Sequence, residues 1–237
     1  MTADLDARLA TLDWTALERA VTDLGHAVTP PLLAADACRE AARLWDEPDR
    51  FRSRVDMARY RFGEGEYRYF ADPLPPVVAR LREALYPRLA PIANRWTEAL
   101  GGRERFPPTL AGLRALCARH GQRRPTPLLL RYETDGYNCL HQDLYGAVAF
   151  PLQATVLLSE PGADFTGGEF LLVEQRPRAQ SRGDVVPLRQ GEAVIFATRH
   201  RPAQGARGAY RVTMRHGVSR LRSGTRMTLG IIFHDAE

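Results

Sequence analysis

Residues 211–233 read RVTMRHGVSRLRSGTRMTLGIIF, two runs of branched and apolar residues on either side of Arg222-Ser223-Gly224. The runs predict strands over 211–218 and 226–233, and Gly224 suits the left-handed position of a three-residue hairpin loop. In that register Arg226 faces Arg220, and Arg220 shares its face with His216. His216, Arg226 and Thr228 are then expected to point into one cavity. Working backwards, similar runs recur at LLLRY (128–132), NCLHQD (138–143), QATVLLS (153–159), GEFLLVE (168–174) and EAVIFAT (192–198), most of them separated by Gly, Pro or Asp. Seven or eight short strands without helices between them predict an antiparallel sandwich or jelly roll.

Before Pro125 the texture is different. Apolar positions recur at helical spacing over 14–24 and 32–45, and a last helix is expected over 109–120. A longer helical run over 75–100 carries Pro87 and Pro91, which predict interruptions. Between them RYRFGEGEYRYF (59–70) alternates aromatic and charged residues around Gly63 and Gly65, which reads as a hairpin or two short strands. The expected organisation is α+β: a mostly helical extension, residues 1–124, packing on a β core, residues 125–237, as one integrated domain.

The chain of 237 residues is long enough for a sizeable core. No window approaches the roughly 18 consecutive apolar residues of a membrane span, and the N-terminus has no leader-like apolar run, so a soluble cytoplasmic protein is expected. Cys38, Cys117 and Cys139 are odd in number and form no C-x-x-C, which indicates neither a disulfide framework nor a thiolate zinc site. All 33 basic residues are arginine and the net charge is +5. The excess is uneven: residues 1–110 hold 16 Arg against 17 acids, residues 111–237 hold 17 against 11. Within 176–226, 12 Arg stand against Asp184 and Glu192. That segment reads either as a field that steers an anionic partner such as nucleic acid or as a solvated rim.

The stretch NCLHQDLYG (138–146) holds the candidate chemistry. On a strand, residues i and i+2 share a face, so His141 and Asp143 project together. Two such ligands on a rigid strand supply two thirds of a 2-His-1-carboxylate iron triad. H-x-D alone is a weak signal, and a third ligand must come from elsewhere. His26 and His120 precede the β core, His200 falls in an expected loop, and His234 follows the last strand; His216 is the best placed. An inward-facing arginine beside a metal is expensive unless it meets a carboxylate, and a small dicarboxylate chelating the metal at one end would satisfy both.

Together, H-x-D, the distant H-G-V at 216–218 and an Arg ten residues past that His resemble the 2-oxoglutarate/Fe(II)-dependent dioxygenases. RYETDGYNCLHQD (131–143) is similar to the segment before H-x-D in AlkB-type dealkylases and prolyl hydroxylases, with Tyr132 nine residues before the His. FTGGEFLL (165–172) is similar to a strand of the same superfamily, and the whole chain resembles a bacterial family of these oxygenases predicted to act on damaged or methylated nucleic acid. The chain departs from the AlkB pattern at Leu130 and Ile232, where an Asn and a second Arg would fall. The resemblance implies a double-stranded β-helix, with His141, Asp143 and His216 as the Fe(II) ligands. It implies 2-oxoglutarate anchored by Arg226, Tyr132 and Thr228, and O2 as the third reactant, for hydroxylation of a C–H bond. The substrate classes implied are nucleic acid, including oxidative demethylation, or else a protein side chain, amino acid or metabolite; a non-catalytic metal-binding jelly roll is the third reading. Tyr145 is expected to pack or to line the substrate entrance.

Overall fold

A computed structural model describes residues 2–206 and 208–237. Among the described residues six α-helices lie in the first half: α1 (Thr2–Ala10), α2 (Trp14–Leu24), α3 (Ala35–Arg43), α4 (Met57–Tyr60), α5 (Pro76–Ala99) and α6 (Leu110–Arg119). Local signals set their ends. The Asp13 carboxylate accepts the Ala16 N–H at the start of α2, and Thr109 Oγ1 accepts the Gly112 N–H at the start of α6.

The same half also supplies four strands: β1 (His26–Val28), β2 (Phe51–Asp56), β3 (Gly63–Glu64) and β4 (Glu66–Phe70). Then follow β5 (Leu128–Tyr132), β6 (Tyr137–His141), β7 (Leu152–Leu157), β8 (Phe165–Gly167), β9 (Phe170–Gln175) and β10 (Arg182–Val186). The last five are β11 (Ala193–Ala197), β12 (His200–Gly205), β13 (Gly208–Val218), β14 (Leu221–Gly224) and β15 (Arg226–Ile231). They form a seven-stranded sheet, β1-β11-β7-β15-β5-β4-β2, and a six-stranded sheet, β10-β9-β13-β6-β3 with β12 beside β13, while β14 and β8 make a separate ribbon. The pairing between named strands is antiparallel throughout.

Strand alternation divides the core into two layers. Leu129, Ala154, Val156, Ile195, Leu229 and Ile231 point from the seven-stranded sheet into a cluster completed by helix residues such as Val78, Leu81, Leu85 and Leu89 of α5. The opposite face puts Tyr132, Leu157 and Phe196 against Phe170, Leu172 and Val218 of the six-stranded sheet. The order is therefore helices, large sheet, small sheet. Burying each such Leu, Val or Phe side chain contributes about 1.5–3 kcal/mol. No helix of the described residues is long and apolar enough to cross a membrane.

Four expectations need correction. First, Pro87 and Pro91 do not interrupt α5, which is continuous. They lie four apart and exposed, on the side away from the core, where a missing N–H donor leaves its carbonyl to water. Second, residues 211–233 are not a hairpin. β13 belongs to the small sheet, β15 is central in the large one, and the residues between them, as β14, pair with β8. Gly224 is left-handed, φ +83°, and passes so close to Asp164 that a Cβ there would sit 2.0 Å from its carbonyl oxygen. Third, Arg220 shares no cavity with His216; it is exposed and ion-paired with Asp135. Fourth, His200 begins β12 opposite Thr213 and is not in a loop.

Candidate metal and co-substrate site

β6 and β13 are neighbours, and His141 lies directly opposite His216. Two residues on, Val218 lies opposite Asn138, so β6 carries one residue more than β13 over the same span. This bulge turns both Asn138 and His141, three apart in sequence, toward one cavity. Asp143 follows just past the strand's end. His216 Nε2 is 3.2 Å from Asp143 Oδ2, and His141 Nε2 is 3.6 Å from Asp143 Oδ1. One ligand atom from each of the three lies within 4.8 Å of the others, close enough to hold one metal ion. An octahedral face with bonds near 2.1 Å has edges of roughly 3 Å, so only small side-chain adjustments are needed.

The surrounding hydrogen bonds suit ligation. His141 Nδ1 lies 2.8 Å from the Cys139 carbonyl oxygen. That contact places the proton on Nδ1 and frees the Nε2 lone pair. The Tyr145 hydroxyl donates to Asp143 Oδ1 (2.7 Å), and Tyr69 donates to Tyr145 (2.9 Å). Burial pushes the Asp143 carboxyl up, but the His216 hydrogen bond and charge, His141 and the Tyr145 hydroxyl outweigh it and hold it well below the usual carboxylate range. His216 is lowered by burial and by His141, with Asp143 opposing. Phe196 and Phe170 pack on that ring, with centroids 4.7 and 6.1 Å away, and keep water from it.

The cavity encloses about 380 Å³ between the two sheets. Arg226 and Thr228, on alternate positions of β15, enter it from the large sheet, and both are 2% exposed. Arg226 is opposite Tyr132 on β5, and its guanidinium lies 5.9 Å from the Tyr132 ring centroid. Tyr132 is fully buried, and its hydroxyl accepts the Asn138 amide (3.1 Å). Burial pushes Arg226 down to about 10, against the raising effects of Tyr132 and Glu169. Two of its guanidinium nitrogens, Nε and Nη1, have no hydrogen-bond partner. An unpaired buried cation is costly. A carboxylate guest relieves that cost, so the residues present fit a dicarboxylate at this end and a metal at the other.

The structure thus brings together His141, Asp143, His216, Arg226, Tyr132 and Thr228 around one cavity. Tyr145 does more than pack, since it lines the cavity and grips Asp143; Tyr69 and Asn138 were not singled out by sequence reasoning. The Tyr145 grip on Asp143 was not legible in the spacing, because both residues lie past the end of β6. The basic segment 176–226 is less of a surface field than its composition suggests. Arg201 and Arg226 are buried, Arg176, Arg182 and Arg201 surround Glu174, and Arg220 meets Asp135. Arg207 lies outside the described residues.

Comparison with known proteins narrows what this geometry serves. A family model, Oxygenase-NA, described as "Oxygenase, catalysing oxidative methylation of damaged DNA", matches residues 65–236. An uncharacterised protein of Mycobacterium tuberculosis is 52% identical over 167 residues, 70% of this chain and 72% of that protein. A prolyl-4-hydroxylase from Pseudomonas putida superposes with a TM-score of 0.58 at 15% identity, covering 94% of this chain and 100% of the other. An oxidoreductase of the 2OG-Fe(II) oxygenase family from Burkholderia pseudomallei gives 0.53 at 17% identity, covering 96% and 95%. At such identities the structural likeness speaks for the fold, and the family match for the chemistry. The chain belongs to the Oxygenase-NA family and is an oxygenase, an oxidoreductase with the fold of the 2-oxoglutarate/Fe(II)-dependent enzymes.

Proposed function

We propose that His141, Asp143 and His216 hold Fe(II), and that 2-oxoglutarate binds between the sheets with its distal carboxylate on Arg226 beside Tyr132 and Thr228. The enzyme then hydroxylates a C–H bond of nucleic acid on a double-stranded β-helix that residues 1–124 complete as part of one domain. The observation that carries this reading is the partnerless guanidinium of buried Arg226 in the cavity that also holds three metal-type ligands.

When bound, iron supplies the oxygen chemistry that couples conversion of 2-oxoglutarate and O2 to succinate and CO2 with C–H hydroxylation. The chain's own residues prepare for it. The Cys139 carbonyl fixes the His141 tautomer, and Tyr145 holds one Asp143 oxygen so that the other faces His216. Phe170 and Phe196 exclude water around His216. Arg226 neutralises and orients the co-substrate. On an N-methyl group the hydroxymethyl product loses formaldehyde, which is oxidative demethylation. The family description, which names DNA, supports the nucleic-acid substrate.

Purified protein supplied with Fe(II) and 2-oxoglutarate is expected to release succinate slowly without substrate, with O2 consumed. His216→Ala abolishes this, whereas His200→Ala, altered on β12, retains it. Loss in the second variant and retention in the first overturns the ligand assignment. Formaldehyde release from methylated oligonucleotides, set against hydroxylation of peptides and amino acids, identifies the substrate class.

A further inference from the structure

Single exposed apolar residues on a protein surface need no explanation, but clusters do. Seven large apolar side chains are exposed among the described residues, and four of them, Tyr60, Phe62, Tyr137 and Leu140, lie on two adjoining segments. Gly63 and Glu64 of β3 pair with Asn138 and Tyr137 of β6, which joins the segments. Arg61, Phe62 and Leu140 line the mouth of the cavity that holds His141, Asp143 and His216.

The backbone beneath these exposed rings is held firmly. The Phe62 N–H donates to the Met57 carbonyl (3.0 Å), and the Phe62 carbonyl accepts the Cys139 N–H (2.8 Å). Gly63, at φ +136°, lets the strap approach β6 so closely that a Cβ would meet the Tyr137 oxygen at 2.2 Å. Arg61, at φ +60°, is the left-handed C-cap of α4, its N–H donating to the Ala58 carbonyl. The outcome is a preorganised rim. The Tyr60 and Phe62 rings stack on one another at 5.6 Å and 21°, the Arg59 guanidinium lies 5.9 Å from the Tyr60 ring centroid, and among the described residues neither Arg59 nor Arg61 is in an ion pair. Inside the mouth, aromatic rings continue inward, Tyr67 edge-on to Tyr69 and Tyr69 edge-on to Tyr145, which touches Asp143.

Resting on the nucleic-acid reading above, we propose that Tyr60, Arg61 and Phe62 form a stacking platform that receives one base of a single-stranded or unpaired nucleotide and passes it to the cavity mouth. Arg59 and Arg61 meet the adjoining phosphates. Stacked rings alternating with guanidinium groups match alternating bases and phosphates, and flat π-faces accept any base. An extended peptide would instead look for a strand edge long enough to add to or separate apolar pockets, and here the edge strand β3 is only two residues long.

The test is fluorescence anisotropy of a labelled short single-stranded DNA with the full chain at low salt. Tyr60→Ala combined with Phe62→Ala is expected to weaken binding about tenfold or more. Tyr60→Trp combined with Phe62→Trp retains it, and unchanged circular dichroism and melting show that each variant folds. Arg61→Gln is expected to flatten the salt dependence by about one phosphate contact. Equal affinity in the alanine variant overturns the platform, as does failure of the unaltered protein to bind the oligonucleotide or its preference for peptides. Succinate release by the unaltered protein reports on the iron and 2-oxoglutarate chemistry separately, so the platform and the chemistry fail independently.

Discussion

Tyr145 and Asp143 are two residues apart, yet the tyrosine turns back so that its hydroxyl donates to Asp143 Oδ1 at 2.7 Å, with Tyr69 bonded behind it. A carboxylate held this way offers a metal one oxygen in a fixed direction. Tyr145→Phe keeps the ring in place and removes the grip. Partners of this kind typically matter 10- to 100-fold in metal affinity, and a loss in that range is expected for Mn(II) or Co(II) as stand-ins for Fe(II), measured by calorimetry. An unchanged affinity shows that the Asp143 position is set by the backbone alone.

Arg226 carries its charge in a buried place without a carboxylate beside it. Adding 2-oxoglutarate should therefore raise the melting temperature, by the equivalent of about 2.7 kcal/mol at 100 times Kd. In Arg226→Met that shift is expected to vanish, while the ligand-free variant melts at or above the unaltered protein, since an apolar side chain replaces an unpaired cation. A ligand-free variant that melts much lower sinks this account of the arginine.

His234 is fully buried and accepts the Phe150 N–H on Nδ1 (3.2 Å), which requires a neutral ring. Burial, reinforced by Arg82 and opposed by Asp143 and Asp235, lowers it from 6.5 to about 4. Unfolded chains bind the proton more readily, so the His234 contribution is complete above pH 6.5 and is lost as pH falls from 6.5 toward 4. The effect is on the order of 1–3 kcal/mol. His234→Gln should flatten the fall in melting temperature across that window, and an unaltered slope counts against the assignment.

Arg82 on α5 is 1% exposed, donates to Asp235 (2.6 Å) and to the Phe233 carbonyl, and Asp235 also meets Arg114. Asp235→Ala leaves a buried cation without its counter-charge, and a loss of about 3–5 kcal/mol is expected in urea unfolding. The double replacement of Arg82 by Met and Asp235 by Ala should recover much of it.

What the residues alone disclosed follows a physical division. Strands β5, β6, β7, β9 and β11 were legible as branched runs, and the i, i+2 spacing of His141 and Asp143 with the H-G-V run was enough to gather three ligand-type residues. Arg226 was placed in the cavity by a register that does not exist. It enters from the other sheet, and alternation along β15 gives the same facing. A left-handed glycine looks alike whether it turns a hairpin or slips past a distant carbonyl, so Gly224 could not reveal that β14 pairs with β8. Pro87 and Pro91 read as breaks because exposure is decided by packing that no local window contains. The Asn138 and His141 pair became visible only with the bulge in β6, which depends on β13, over seventy residues away in the chain.

The proposed site is shared between the two sheets, with the metal ligands around β6 and β13 and the guanidinium on β15. A chelating diacid bound as proposed would reach from one sheet to the other and act as a crosslink between halves of the sandwich. Conversion to succinate would replace the 2-oxo acid end by a plain carboxylate with fewer donor atoms for a metal and keep the carboxylate on Arg226, so the crosslink would be weakened by the reaction it serves.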